Sequence, residues 1–440
     1  MATQRSEEHV HSYYRESQVY RRQWPALSED TTCDVVVIGG GLVGLTTALE
    51  LSRHGKSVVL LEGRRVGWGA SGRNGGFVSS GYAESLDSLQ NKIGLEHTRE
   101  LFRLSQDGVD YVRRTILDNN ARFLIGGHGW MKVQRHDNID LLKRRRDRMG
   151  ALFGVNQSLL DSEELHEYLR TDRYCCALKD DAPFHIHPLD YSALVAIQAD
   201  SAGARLFERS AALAVKPSAN GWRVQSADGA VQCGSVVIAT SAYSFDTGLN
   251  KGIDHAVLPV ATYVITSQSM PTELDAAIKY NGCIADTRRA GDYYRRVDGG
   301  KRLLWGGRIT TRRGEPRQLA RLLRRDILKI YPQLGPFEVD FSWAGLMGYA
   351  RHKMPIVRPI EEGLWVATAL GGHGLNTSAV IGKIVAAAIA KGDERWRLFE
   401  PFQAQWGGGW VGRLVTQLEY LRLQLVDQHE ERRQSRSSTQ

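Results

Sequence analysis

Cysteine is scarce in this chain. Five of 440 residues are cysteines, Cys33, Cys175, Cys176, Cys233 and Cys283, and no two form a C-x-x-C pair. That spacing excludes a zinc ribbon and a disulfide framework as the basis of the fold. Long apolar runs are missing too: none reaches the roughly 18 residues that span a bilayer. The first twenty residues, MATQRSEEHVHSYYRESQVY, have no apolar core of the kind a secretory signal needs. A soluble, cytoplasmic protein with no membrane span is therefore expected. No Ser-His-Asp arrangement can be argued from spacing, and no internal repeat is visible. His185 and His187 alternate near Cys175 and Cys176, but no second pair has ligand spacing, so no metal is assigned.

What is present is globular in balance, with 42% hydrophobic and 24% charged residues. The length suits two or three domains. Net charge is +8, and the basic excess gathers at residues 143–148 and 312–325. In the second cluster Pro316 suits a first helical turn, and Leu319, Leu323, Ile327 and Ile330 form an apolar stripe. Arg317, Arg321, Arg324 and Arg325 lie largely off that stripe. A solvated helix face accounts for this pattern, so nucleic acid is not expected as a partner.

The stretch 34–62, DVVVIGGGLVGLTTALELSRHGKSVVLLE, organises the rest. Its β-branched run 35–38 suits a strand buried on both faces. Gly39, Gly41 and Gly44 then spell G-x-G-x-x-G. Residues 42–54 read as a helix, 57–61 as a second buried strand, and Glu62 closes it. Gly39 permits the tight turn, Gly41 lets the backbone approach a pyrophosphate, and Gly44 lets the helix pack closely on the sheet. The helix N-terminus offers unpaired N–H groups to phosphates. Glu62 suits a ribose hydroxyl pair. This order of elements reads as a dinucleotide site, with FAD and NAD(P) both open. Arg64 and Arg65 suit a 2′-phosphate but equally a solvated surface. The segment 66–76, VGWGASGRNGG, is too rich in glycine for the next helix of a simple dehydrogenase. It fits a loop lying along a flavin ring.

Further along, helices are expected at 92–118 and 138–152, with a strand at 126–133 between them. His187-Pro188 precedes a helix at 191–202. A strand at 204–208, a hairpin from 212–215 and 222–226, and a buried strand at 236–240 follow, the last completing the parallel sheet. Alternating runs at 261–267, 293–297 and 303–308 predict an antiparallel sheet walling a cleft. A buried strand at 363–370 runs into GGHGLN and a helix at 377–390. Residues 1–30 are expected to lie extended along the surface, and the charged, Ser-rich tail after Glu430 to be disordered. In GGHGLN, glycines again let backbone approach a ligand, and the following helix points its positive end there.

GGGLVG with Glu62, GWGASGRNGG, and GGHGLN before the last core helix, in this order and spacing, resemble the D-amino-acid-oxidase-type (DAO) family of FAD-dependent oxidoreductases. SYY and WPAL ahead of the first strand, the HP dipeptide, YYRRVDGGKRLLWGGR and RHKMPIV resemble its γ-glutamylputrescine-oxidising branch. The likeness covers roughly residues 12–425. It implies an α/β fold class, with a Rossmann-like FAD-binding domain and a second α+β substrate domain built on an antiparallel sheet. The FAD-binding domain would comprise residues 30–80, 170–245 and 341–400, and the substrate domain 81–169 and 246–340. Residues 1–29 would be an N-terminal extension and 401–440 a C-terminal helix and tail.

By the same resemblance, Gly39, Gly41, Gly44 and Glu62 hold the ADP half of FAD, with Ala212 at the adenine and Thr240 in a late turn. Ser71, Arg73, Asn74, Gly75 and Gly76 line the flavin, and Gly372, His373, Gly374, Leu375 and Asn376 hold its pyrimidine edge. Tyr294 and Arg295 match the family's cleft wall and are candidate substrate contacts. His373 is either an acid–base group or a loop residue. Arg308 is a weaker candidate. Sarcosine-oxidase-like members attach FAD to a cysteine in the segment matching 343–349, here WAGLMGY, so non-covalent FAD is implied. Those members also carry a lysine where Asn376 stands, so a substrate α-carboxylate is not expected there. Residues 303–308 contain no lysine, which leaves oxidase and dehydrogenase both open. The implied activity is oxidation of a C–N bond of an amine or amino acid, with a γ-glutamylputrescine-like amine favoured and oxygen or another acceptor taking the electrons. An NAD(P)-dependent dehydrogenase and an RNA-directed flavoprotein are the alternatives.

Overall fold

The computed structural model describes residues 8–135, 138–288, 291–311 and 318–437. Along the chain the strands are β1 (Thr31–Ile38), β2 (Val58–Leu61), β3 (Phe77–Val78), β4 (Ile125–Gln134), β5 (Ser158–Leu160), β6 (Cys176–Ile186), β7 (Arg205–Phe207), β8 (Ala214–Ser218), β9 (Gly221–Gln225), β10 (Ala230–Ile238), β11 (Leu258–Ser267), β12 (Cys283–Asp286), β13 (Tyr293–Val297), β14 (Arg302–Thr310), β15 (Val339–Tyr349), β16 (Ile356–Glu361) and β17 (Leu364–Thr368). The helices are α1 (Tyr13–Glu16), α2 (Leu42–Arg53), α3 (Leu86–Ile93), α4 (Leu95–Asp118), α5 (Ile139–Phe153), α6 (Ser162–Tyr168), α7 (Pro188–Ser201), α8 (Lys251–Ala256), α9 (Pro271–Ala277), α10 (Leu319–Ile330), α11 (Gly374–Lys391) and α12 (Gly409–Ser437).

The first sheet runs β16-β17-β10-β1-β2-β7, with the β8–β9 hairpin joined to β10. From β17 to β7 its neighbours are parallel. β1 serves two cores at once, as a β-branched run buried on both faces must. Val35 and Val37 pack against the helical layer with Leu45, Leu49 and Ile381. Val36 and Ile38 pack on the other side with Trp222 and Val224 of the hairpin. The helical layer is tight because small residues sit at the crossings. A Cβ on Gly382 of α11 would lie 2.7 Å from Thr46 Cβ of α2, and one on Gly108 of α4 would lie 2.2 Å from Asn376 O.

The second sheet runs β15-β11-β14-β13-β12-β4-β6-β3, with β5 on β6. It is antiparallel except where β12 lies parallel to β4. The apolar stripe of α10 closes over this sheet: Leu319, Leu323, Ile327 and Ile330 are all buried in its core. The arginines of that helix lie off the stripe, as its period requires. Pro316 and Arg317 fall outside the described residues.

Several expectations need correction. The sheets divide the chain at other points than those inferred from the resemblance. β3, β6 and β15, all assigned to the FAD-binding domain, are strands of the second sheet. Conversely, α4, assigned to the substrate domain, buries Leu101, Val109, Val112 and Ile116 in the helical layer of the first sheet. A strand's own pattern shows that it is buried, not which sheet it joins. The N-terminal segment is not laid along the surface: Tyr14 and Trp24 are buried, and Glu8 pairs with Arg65. The core helix at the late glycines starts at Gly374, three residues before its expected first turn. α12 continues to Ser437, past the point where disorder was expected; residues 438–440 lie outside the description. Among the described residues no helix is long and apolar enough to cross a membrane.

Candidate active site

The carboxyl ends of β1, β10 and β17 open onto a cavity of about 710 Å³. Open parallel sheets bind ligands in this position. β1 leads through Gly39 and Gly41 into α2. Gly39 has φ +113°, and any Cβ on it would lie 2.7 Å from Ala239 O, so only glycine makes this turn. A Cβ on Gly44 would lie 2.0 Å from Gly39 O, which is how α2 reaches the sheet. Gly44 itself is not part of the cavity wall. Gly41 is different: its only close neighbour would be Ser71 Oγ at 3.2 Å, and the remaining space is cavity. Ser71 Oγ in turn accepts from Leu42 N at 2.9 Å, which joins the glycine loop to the start of α2.

Glu62 sits at the end of β2. Its Oε2 accepts from Gly40 N at 2.6 Å and its Oε1 from Arg64 N at 2.7 Å. Burial pushes its carboxyl up, and these two N–H groups oppose the shift. Arg65 does not face the cavity. It is buried and paired with Glu8 and Glu208, which removes it as a 2′-phosphate ligand. Arg64 and Arg73 sandwich the Trp68 ring at 3.9 and 4.0 Å from its centre.

The 66–76 loop is a pinned wall rather than a free coil. Three successive carbonyls each accept a bond from a different element. Trp343 Nε1 of β15 donates to Arg73 O at 2.9 Å, Tyr14 Oη of α1 to Asn74 O at 2.9 Å, and Arg295 Nε of β13 to Gly75 O at 2.7 Å. Asn74 closes the loop on itself, donating to Ala70 O and Ser71 O and accepting from Gly76 N. Arg73, Asn74 and Gly75 line the cavity. Gly76 does not: its φ is +80°, and a Cβ there would strike Ile186 O at 2.3 Å.

A second helix N-terminus faces the same space. Ala369 has φ 59°, a strained value for a residue with a Cβ, as the chain turns off β17. Gly372, His373, Gly374 and Leu375 then line the cavity. A Cβ on Gly374 would meet nothing within 4 Å. Asn376 is turned away from the cavity. It is buried, and its Nδ2 donates to Gly81 O at 3.2 Å. One helical step of about 100° carries it past the cavity edge. His373 is held neutral: burial and the Lys132 charge pull it down to about 4. Ala212 and Thr240 also line this cavity.

Among the expected substrate contacts, the reading of β13 needs correction. Tyr294 is fully buried on the far side of the sheet. Its ring stacks on Trp305 at 4.1 Å, and its hydroxyl meets Tyr331 Oη at 2.7 Å and Tyr174 Oη at 3.3 Å. Strand alternation places Tyr293 on the cavity instead. A Cβ on Gly75 would come within 2.6 Å of the Tyr293 ring and one on Gly306 within 2.0 Å, so both glycines make room for it. Arg295 shares that face but lies behind the loop. Besides Gly75 O, it donates to Ile186 O and to His185 Nδ1 at 2.6 Å, and it does not reach the cavity. His185 must therefore carry its proton on Nε2, which donates to Asn281 O at 2.9 Å. Arg308 pairs with Asp326 of α10 at 2.6 Å. Among the described residues no group of side chains forms a metal site.

Sequence reasoning missed an ion network on the cavity wall. Asp286 binds Arg135 and Arg288 at 2.9 Å each, and Asp292 binds the same two arginines. Burial pushes Asp292 up to about 6. Only pairing β4, β12 and β13 in the right register brings these four groups together.

The model of the family described as "FAD dependent oxidoreductase" (DAO) matches residues 34–388. The chain belongs to this family. It is 29% identical over 429 residues to a probable oxidoreductase, OrdL, of Haemophilus influenzae, covering 96% of this chain and 98% of that protein. It is 29% identical over 393 residues to the gamma-glutamylputrescine oxidoreductase of Escherichia coli, covering 89% and 92%. Among solved structures, glycine oxidase from Geobacillus kaustophilus superposes with a TM-score of 0.71 at 22% identity, over 85% of this chain and 98% of that one. The protein is thus an FAD-dependent oxidoreductase, and its residues fit the cofactor. Two helix N-termini, α2 and α11, face one cavity without a side-chain cap from their own N-cap residues. Each places beside it a glycine whose missing side chain leaves open space. That is the arrangement a ligand with a pyrophosphate and an electron-accepting ring requires.

Proposed function

We propose that the enzyme oxidises a C–N bond of a small amine or amino acid, with amines of the γ-glutamylputrescine type favoured. The observation that carries this reading is the junction of two cavities. Ser79, Trp130, Arg288 and His373 line both the cofactor cavity and a second cavity of about 1440 Å³. A substrate entering by the second would bring one end to the ring-binding end of the first. The relatives named above, a gamma-glutamylputrescine oxidoreductase and a glycine oxidase, bear names of nitrogen-carrying compounds.

When bound, FAD supplies the acceptor for a hydride from the carbon beside the nitrogen, and water then hydrolyses the imine. The chain's own residues do the rest. Gly39, Gly41 and the α2 N-terminus hold the phosphates, and Glu62 the ribose. Arg73, Asn74, Gly75 and Leu375 form the walls around the ring. Gly372 and Gly374 let the α11 N-terminus approach it, where it favours negative charge. Tyr293, Trp130 and His373 face the space left for substrate and exclude water. His373 is neutral near pH 7, so it orients, packs and forms hydrogen bonds but does not serve as an imidazolium acid. We further propose that FAD is held without a covalent bond, since no cysteine lines the cavity among the described residues. Oxygen or another acceptor then takes the electrons.

The test is anaerobic bleaching of the purified flavoprotein by polyamines, γ-glutamylated amines and N-methyl amino acids. A flavin that none of them reduces would overturn the reading. NADPH binding would be the sign of the nicotinamide alternative, which the Arg65 pairing already disfavours.

A further inference from the structure

β4 presents alternate residues to opposite sides. Met131 and Val133 are buried in the core of the second sheet. Trp130, Lys132 and Gln134 face the other way and line the second cavity. Lys132 therefore stands two residues beyond Trp130, just past the junction with the cofactor cavity. Its charge reaches His373 at that junction, whose pKa it helps to lower.

Lys132 differs from the other charges in this cavity. Arg148 is paired with Asp87 at 2.9 Å. Arg288 is bound to Asp286 and Asp292. Asp180 Oδ1 accepts from Ala182 N at 3.0 Å, and Glu84 Oε1 from Ser85 N at 2.9 Å. Asp427 is buried and has partners of its own. Arg144 and Arg145 stand on the exposed outer rim. The Lys132 ammonium has no hydrogen bond or ion pair among the described residues. Besides burial, it feels the repulsion of Arg145 on α5 and the smaller attraction of Asp286 on β12. Burial pulls it down to about 8, so it is still mostly charged at pH 7. Lys132 is half-buried, with its side chain on the wall of the second cavity. A partly desolvated ammonium facing a cleft without a protein counter-charge gains when a ligand supplies one.

We propose that Lys132 anchors a carboxylate carried by the substrate, several bonds away from the C–N bond that is oxidised. The substrate class is then an amine with a remote carboxylate, its amine end at Trp130 and His373 and its acid end at Lys132. This rests on the amine-oxidation reading above. A charge-assisted bond of this kind discriminates by roughly tenfold to a hundredfold.

The experiment compares γ-glutamylputrescine with its analogue lacking the α-carboxylate, by anaerobic flavin reduction in the parent, Lys132→Gln and Lys132→Arg. The parent should prefer the acid by tenfold or more in limiting reduction rate divided by Kd, carried mainly by Kd. Lys132→Gln should bring the ratio near unity, and Lys132→Arg should restore most of it. In the parent the preference should fade as pH rises through about 8, where Lys132 discharges. A parent without preference, or a Lys132→Gln ratio equal to the parent's, overturns the proposal. Calorimetry of glutarate on the FAD-loaded protein gives a readout free of turnover. Glutarate should bind the parent and weaken at least tenfold in Lys132→Gln; equal binding, or none to the parent, counts against the anchor. If no amine reduces the flavin while glutarate binding depends on Lys132, the amine reading fails and the anchor stands.

Discussion

Gly41→Val should separate holding the cofactor from holding the fold. Gly41 is the N-cap of α2 at φ −83°, ψ 173°, an extended conformation open to any residue. A valine there brings no backbone strain. Its Cβ would meet only Ser71 Oγ, at 3.2 Å. That hydroxyl can rotate away, losing its bond from Leu42 N at a cost of about 1 kcal/mol. The rest of the side chain would occupy cavity. A pyrophosphate approaching this backbone would take N–H bonds worth roughly 1.5–3 kcal/mol each. Displacing two of them weakens FAD binding by about 100-fold to 10,000-fold. Gly44→Ala is the contrast, since its Cβ would lie 2.0 Å from the backbone oxygen of Gly39. There α2 itself must move, and the apoprotein should lose stability. The assay removes FAD, measures the apoprotein Tm by calorimetry, and titrates FAD back by quenching of flavin fluorescence. Apo Gly41→Val should melt within about 3 °C of the parent and bind FAD at least a hundredfold more weakly, while apo Gly44→Ala melts well below both. Gly41→Val with the parent's FAD affinity would refute the placement of the pyrophosphate at this turn.

Acid precipitation should leave all the flavin in the supernatant, and a yellow pellet would contradict non-covalent attachment. Gly374→Val fills the open space at the start of α11 and should lower the two-electron potential of the loaded enzyme by about 20–40 mV, the equivalent of a helix-end contribution of about 1–2 kcal/mol; an unchanged potential would remove that role from the helix. Tyr293→Phe should slow flavin reduction and leave Tm nearly unchanged, whereas Tyr294→Phe, which strands the hydroxyls of Tyr331 and Tyr174, should cost about 1–3 kcal/mol of stability with little kinetic effect. The reverse pattern would undo the assignment of faces on β13. His187 caps α7 through Nδ1 and is held down to about 3 by burial. Its stabilising contribution is complete above the unfolded value of about 6.5 and is lost as pH falls toward 3. His187→Asn keeps a cap acceptor and should gain on the parent by up to about 1.4 kcal/mol per pH unit below about 6.5; urea unfolding of both at pH 7 and pH 5 decides.

Local pattern was enough for the cofactor half of this protein. A β-branched run, three glycines, a helix and an acid lie close together in the chain, and their spacing constrains their geometry. The turn at Gly39, the close packing at Gly44 and the position of Glu62 follow from that short stretch. The same holds for the stripe of α10 and for Pro188 opening α7, where period and capping are local properties.

The substrate half depended on contacts between distant segments. The turn at 298–300 fixes the hairpin so that Tyr293 faces Gly306 and Tyr294 faces Trp305, but either face can be the buried one until a sheet is packed beside it. α10 and the buried hydroxyls of Tyr174 and Tyr331 took Tyr294, and the loop at Gly75 took Tyr293. Arg295 acts through that loop because Tyr14 and His185 come to it from 281 and 110 residues away. Lys132 carries no signal in its neighbours along the chain. Its position in the second cavity, just past the junction with the first, arises only when β4, α5 and the start of α11 meet. Residue type and short-range spacing set what each segment can form; which side of a sheet borders a cavity is set by the chain that covers the other side.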